Sequence, residues 1–493
     1  MKVLYITTEC KPFSKEGGIA MVAGELPPAL KRKGIDIRVV TPAYDSVDPK
    51  RVGEKEKSIY VKFNGKTEKV DVHHGDIEGT DVILLKNETY FGEKGGKGYG
   101  KAYVHSEVPY KDDALRFSFL SESCLPLIDE MKPDIVHIND WGLCYLFGRM
   151  KTLGFEQKRT MTIHNVGYQG NLWIPHVLQW ATMADLLSDP RTGRYFLDPR
   201  AAWENVNALR LGLELSHVVN TVSPTYAEEM TKPENPGRYF EGGKGLEKIC
   251  KRLYDEGRLI AILNGFVYKS EPDERNFQQK MEEKKIMREQ LSKRFQDPNA
   301  LILGFVGRAV EQKFRLLMDE VDGKSVFEHI LDIPRINVAL VATGPAEYER
   351  FLNRFKGRGN YLPVLAFDPA MAGQVNLGSD VFLMPSLYEP CGIAQMEAMA
   401  NATPPLVRWT GGLADTVKPY DQNDGTGFGF DGGSKEAILR NLIAAVEGAK
   451  LFFEQSHKKF SQVQKNAFSK RFTWDDAVKG YIQDLYEKAL RLP

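Results

Sequence analysis

The chain has 493 residues, too many for one ordinary hydrophobic core, so two or three domains are expected. Its 66 lysines and arginines equal its 66 aspartates and glutamates, and nothing in the overall charge favours a nucleic acid or a membrane surface as partner. Five scattered cysteines, Cys10, Cys124, Cys144, Cys250 and Cys391, form no C-x-x-C pair and read as free thiols of a reducing compartment rather than a disulfide framework or a zinc site.

The first run, residues 3–8, is apolar but short. It reads as a buried strand and not as a signal peptide. No stretch approaches the roughly 18 apolar residues of a membrane span. A cytoplasmic protein is expected. Lys15-Glu16-Gly17-Gly18 follows, ahead of a helix starting near Ile19. Consecutive glycines let backbone N–H groups approach an anion at a helix N-terminus, and Lys15 adds a full charge. A plain strand-to-helix turn is the alternative.

Further β-branched runs at 35–41, 82–85, 135–139, 159–164 and 218–222 alternate with charged amphipathic segments. This is the pattern of βα units around a parallel sheet. Two of these strands end in polar clusters, His137-Ile138-Asn139-Asp140-Trp141 and Thr162-Ile163-His164-Asn165. Open parallel sheets bind ligands beyond the carboxyl ends of their strands, so both clusters are expected to face a cleft. Their histidines also fit a purely structural role, and no spacing suits a metal.

The composition shifts near 255–270, which divides the chain into 1–257 and 258–473. Strands then recur at 301–307, 336–342, 362–367, 381–385 and 405–408. The fold class is therefore α/β, with two Rossmann-like domains whose motif-bearing ends face each other across a cleft. The closing segment 474–493 is amphipathic. Val478, Ile482, Leu485, Ala489 and Leu492 share one stripe, and the segment is expected to pack back on the first domain.

Three motifs in the second half carry chemistry. Gly307-Arg308-Ala309-Val310-Glu311-Gln312-Lys313 follows a strand and brings two cations to a sheet end. They suit a diphosphate whose charge grows as it departs, although solvated surface charges are the alternative. Tyr388-Glu389-Pro390-Cys391-Gly392-Ile393 is followed by Glu397. Two carboxylates eight residues apart would lie on a similar helical face, and carboxylates accept hydrogen bonds from sugar hydroxyls. A helix-start acid and a surface acid are the alternative. Thr410-Gly411-Gly412-Leu413-Ala414-Asp415-Thr416 is a second glycine-rich turn into a helix, suited to phosphate oxygens or serving as a plain turn.

In this order the motifs resemble those of the bacterial glycogen synthase and plant starch synthase family. The resemblance is carried most specifically by Thr162-Ile-His-Asn-Val-Gly-Tyr-Gln-Gly170, Ser386-Leu-Tyr-Glu-Pro-Cys-Gly392 and Thr410-Gly-Gly-Leu-Ala-Asp-Thr-Val417. It implies a retaining glycosyltransferase of the GT-B fold that needs no divalent metal or other cofactor. The implied reaction moves glucose from ADP-glucose to the 4-hydroxyl end of an α-1,4-glucan by front-face attack. By the same resemblance Lys15, Gly17 and Gly18 cover the donor diphosphate, and Arg308 and Lys313 hold it and assist its departure. Glu389 holds the donor glucose, with Cys391 and Gly392 lining its pocket. Asp140 and His164 stand on the catalytic side of the first half, the latter through its backbone carbonyl. Asn264 contacts the sugar, Thr410, Gly411 and Gly412 contact phosphate, Phe367 stands at the nucleobase and Tyr99 near the acceptor.

The sequence departs from the family pattern at Met21, Gly142, Phe314, Phe266, Val267, Ala402 and Glu397. UDP-glucose, a smaller acceptor, or a catalytically weak relative that binds glucan or nucleotide-sugar therefore stay open as readings. A dinucleotide-dependent oxidoreductase is disfavoured, because no G-x-G-x-x-G follows the first strand.

Overall fold

The computed structural model describes residues 1–104, 107–200 and 204–493. Two large sheets organise them. The first runs in the order Leu259–Ala261, Val218–Thr221, Lys158–Ile163, Ile135–Asn139, Lys2–Ile6, Asp36–Pro42, Thr80–Lys86, Lys66–Ile77 and Lys55–Phe63. All neighbours are parallel except around the last two strands, which pair antiparallel. Val3 to Ile6 are fully buried, as continuous apolar strands covered on both faces must be.

The antiparallel edge lies outside the strands expected from sequence, yet its signal is local. Val61, Phe63, Val70 and Val72 are buried and alternate with charged residues. The turn between the strands is Asn64-Gly65, with φ of 48° and 77°. Only a tight hairpin asks for two positive φ angles in succession, and Asn-Gly supplies them.

The second sheet runs Tyr361–Val364, Ile336–Thr343, Leu301–Arg308, Val381–Met384, Pro405–Arg408 and Phe428–Phe430, parallel throughout. That is the doubly wound nucleotide-binding order, with the first strand in the middle. Each sheet reverses its winding once. The first does so between Lys2–Ile6 and Ile135–Asn139, the second between Leu301–Arg308 and Val381–Met384. Crevices open at such points, at the carboxyl ends of the strands.

The division expected after residue 257 cuts the first sheet. Leu259–Ala261 pairs in parallel with Val218–Thr221, so its apolar run closes the first body instead of opening the second. The chain crosses just beyond it and returns near Phe472. The two crossings lie side by side: the Phe266 N–H donates to the Phe472 carbonyl at 2.8 Å, and the Phe472 N–H donates to the Tyr268 hydroxyl at 2.9 Å.

The helical stretch Trp474–Gly480, Tyr481–Glu487 and Lys488–Arg491 then packs against the first sheet, the middle part wound as a π-helix. Val478, Leu485 and Ala489 are fully buried, while Ile482 and Leu492 rest half-buried against the same core. Trp474 Nε1 donates to Glu25 at 2.7 Å, and the Tyr486 hydroxyl meets His137 Nδ1 at 2.8 Å. Leu485→Ala is expected to destabilise the first body by about 2–5 kcal/mol, the usual cost of a buried leucine cavity. Urea unfolding followed by tryptophan fluorescence would show it as a lower midpoint. No described helix is long and apolar enough to cross a membrane.

Candidate active site

Both winding reversals deliver their loops to one place. From the first body, the strand Lys2–Ile6 leads to the glycine loop, and Ile135–Asn139 leads to Asp140. From the second, Leu301–Arg308 ends on Arg308, and Val381–Met384 leads to Glu389. Tyr388 joins the two sides. Its hydroxyl faces Asn165, next to His164, and lies beside Gly167.

Asp140 is the strained member. Its φ is 54° with ψ of −175°, a region that residues with a Cβ rarely occupy and that costs on the order of 1–3 kcal/mol. The strain aims its carboxylate back at the next strand, where Oδ1 accepts the His164 N–H at 2.6 Å. Burial raises its pKa to about 7, against the pull of the His164 and Asn165 amides. The His164 ring is turned the other way. Its Nε2 meets Asn139 Oδ1 at 3.0 Å, and burial lowers its pKa to about 4. The imidazole is therefore neutral near pH 7. His137 is not part of this cluster. It sits mid-strand with no exposure, its ring nitrogens engaged by Tyr486 and Thr162, so it is a core histidine.

On the opposite side, Lys313 Nζ pairs with Glu389 Oε2, and Ser386 Oγ donates to the same oxygen at 3.0 Å. Glu389 is buried at 7% exposure, so the pair is substantially desolvated. Arg308 is exposed and holds no side-chain partner among the described residues. Lys15 is likewise exposed. Gly17 is held by Glu9, whose Oε2 accepts the Glu16 and Gly17 amides at 2.6 and 3.0 Å. The glycine loop is thus pre-shaped by an internal carboxylate, leaving Gly18 at its exposed tip.

Three expectations change. Glu389 and Glu397 do not share a helical face. The helix is Ala394–Ala400, and Glu389 precedes it in a loop. Pro390 disfavours helical backbone at Glu389, and Gly392 takes a φ of 74°. Next, the Thr410-Gly411-Gly412 turn has no free amides. Thr410 N–H donates to Arg408 O, Gly411 N–H to Glu229 Oε1 at 3.1 Å and Gly412 N–H to Glu389 O at 2.9 Å. Thr410 Oγ1 also reaches Glu229 at 3.0 Å, so a carboxylate of the first body occupies the position expected for phosphate oxygens. Finally, Cys391 packs with Val222 and Met396 in a small apolar cluster.

The remaining expected residues are placed as follows. Asn264 is buried at the first crossing, with no partner for its Oδ1. Phe367 is 87% exposed, its ring free for stacking. Tyr99 lies under the Arg116 guanidinium, 5.0 Å from ring centroid to carbon. Arg116 is a residue that motif reading misses. Fully buried, it ties together the carbonyls of Tyr90, Tyr99 and Lys101 and the carboxylate of Asp113. Glu229 and Glu241 are missed too. Glu241 is 7% exposed behind Gly167 and Tyr388, with no hydrogen bond in good geometry, and burial raises its pKa to about 8. Among the described residues no group of His, Cys, Asp and Glu is arranged to hold a metal ion.

Two doubly wound bodies with facing winding reversals, Arg308, Lys313 and Glu389 at one and Asp140 at the other, make up the GT-B fold of a glycosyltransferase. Residues 2–252 match the starch synthase catalytic domain model, and residues 324–466 match the glycosyl transferases group 1 model. The chain is 33% identical to a glycogen synthase of Thermotoga maritima and 34% identical to one of Desulfitobacterium hafniense, with 99% of each chain covered in both cases. Its fold superposes with a TM-score of 0.81, at 26% identity and 99% coverage of both chains, on the catalytic domain of starch synthase IV from Arabidopsis thaliana bound to ADP and acarbose. The chain belongs to the glycogen synthase and starch synthase family.

Proposed function

We propose that the protein elongates an α-1,4-glucan by transferring glucose from ADP-glucose with retention of configuration and without a metal ion. The observation that carries this reading is the meeting of Tyr388 with Asn165, which sets Glu389 and His164 on two sides of one crevice. Arg308, Lys313 and Lys15 supply positive charge around it, as a departing diphosphate requires. ADP and acarbose, an oligosaccharide analogue, are what the Arabidopsis enzyme holds. The same pair of ligand classes suits this cleft.

In the proposed step the glucan 4-hydroxyl oxygen bonds to the anomeric carbon as the bond from that carbon to the phosphate oxygen breaks. The proton of the hydroxyl passes to the departing phosphate. Ionised Asp140 lies on the acceptor side, where it favours positive charge building on the sugar ring. Glu389 accepts hydroxyl hydrogens of the donor glucose. Gly17, Gly18 and Phe367 close over the diphosphate and nucleobase.

Purified protein given labelled ADP-glucose or UDP-glucose with glycogen, in the presence of EDTA, tests this. Incorporation from ADP-glucose at least tenfold faster than from UDP-glucose is the expected result. No incorporation from either donor would leave a binding protein, and dependence on added magnesium would overturn the metal-free step.

A further inference from the structure

A second cavity lies away from the crevice. It has a volume of about 450 Å³ and opens at the other end of the first sheet. Arg159 is the second residue of the strand Lys158–Ile163, whose far end carries His164. Roughly 16 Å of strand therefore separates the two places.

Five cationic side chains line this cavity: Lys151, Arg159, Arg191, Arg194 and Arg258. Lys151, Arg159 and Arg194 have no carboxylate partner among the described residues. Arg159 Nε donates to the Leu215 carbonyl at 2.8 Å, and Arg194 Nη2 to the Tyr195 hydroxyl at 2.5 Å. The one acidic side chain among the described residues of the lining, Glu214, is paired at 2.6 Å with Arg252, which lies outside it. His217 adds a neutral donor. Its Nδ1 accepts the Arg159 N–H at 3.0 Å, which leaves the proton on Nε2. A half-buried aromatic ring, Tyr195, and Leu215 and Leu492 form the apolar part of the lining.

We propose that this cavity is a binding site for a small phosphate-bearing metabolite, separate from the active site. Three cations without counter-charges and a neutral N–H donor match a dianion. Planar guanidinium groups bind phosphate oxygens in pairs, which suits phosphate better than a monovalent carboxylate. A hexose-sized body fits the volume.

The test uses the full chain in three forms: wild type, Lys151→Glu/Arg194→Glu, and Arg308→Ala. The double substitution changes exposed side chains outside the catalytic cleft. Each form is titrated calorimetrically at low ionic strength with inorganic phosphate and, separately, with a hexose monophosphate. Wild type and Arg308→Ala are expected to bind one equivalent with similar affinity. The double variant should bind at least tenfold more weakly, with unchanged thermal unfolding, and Lys151→Gln alone should give an intermediate loss. Tighter binding of the hexose monophosphate than of phosphate would identify a sugar phosphate as the ligand. Equal affinities would identify the phosphate group alone. Binding that is lost in Arg308→Ala but kept in the double variant would place the anion in the crevice and overturn the proposal. So would binding in none of the three forms.

Discussion

Arg308→Ala is expected to lower kcat by roughly 10²–10³-fold, the usual loss when a charge stabiliser is removed from a leaving group. The substitution should be clean. The Arg308 side chain is exposed and holds no partner that would be orphaned, so folding stability should change little. Lys313→Ala is expected to cost at least as much, for two reasons. It removes a cation from the diphosphate, and it leaves Glu389 buried without its counter-charge. An unpaired buried carboxylate is costly in itself. Steady-state kinetics beside thermal unfolding would separate these effects. Arg308→Ala should lose activity with its melting temperature kept, whereas Lys313→Ala should lose some of both. Near-normal turnover in Arg308→Ala would remove it from the mechanism.

The second large effect is at Asp140. Asp140→Asn is expected to lower kcat by roughly 10²-fold. In the unaltered protein kcat/KM should rise with pH through about 7 as this carboxyl ionises in the free enzyme, and the substitution should flatten that limb. The effect on stability has the opposite sign. Asp140 ionises near 4 in an unfolded chain and near 7 in the folded one, so folding favours its protonated form. Its contribution to stability is therefore fully present below pH 4 and lost as pH rises through 7, on the order of 4 kcal/mol in all. A buried carboxyl and a strained backbone coincide at this residue. A pH–rate profile of the two proteins, with unfolding midpoints over the same range, would show activity gained where stability is lost. A limb that survives in Asp140→Asn would assign the titration to another group.

Much of this site is legible in the sequence because it lies where apolar runs stop. Arg308 directly ends its strand, and Asp140 directly follows one, so locating the strands locates the residues. What sequence spacing does not convey is the state of individual backbone groups. The Thr410-Gly411-Gly412 turn reads as an anion cradle, but Glu229 reaches it from 181 residues away along the chain. Glu389 and Glu397 have helical spacing, but Pro390 and Gly392 between them prevent a helix. Arg116 and Glu241 carry no motif, since their settings are made by long-range packing. His137 shows the converse. A histidine three residues before Asp140 in sequence is, in space, on the strand's buried face against the C-terminal segment.

That C-terminal segment also separates the order of synthesis from the order of completion. The first body is made from the start of the chain, but Trp474, Val478, Tyr481, Leu485 and Tyr486 belong to its core. A nascent chain on the ribosome therefore carries an unfinished first body while the whole second body is made and folds. The helical turns that follow the second crossing complete the core of the first body. A chain stopped short near residue 470 would have a complete second body with an exposed apolar surface on the first, the mark by which quality control recognises an unfinished protein.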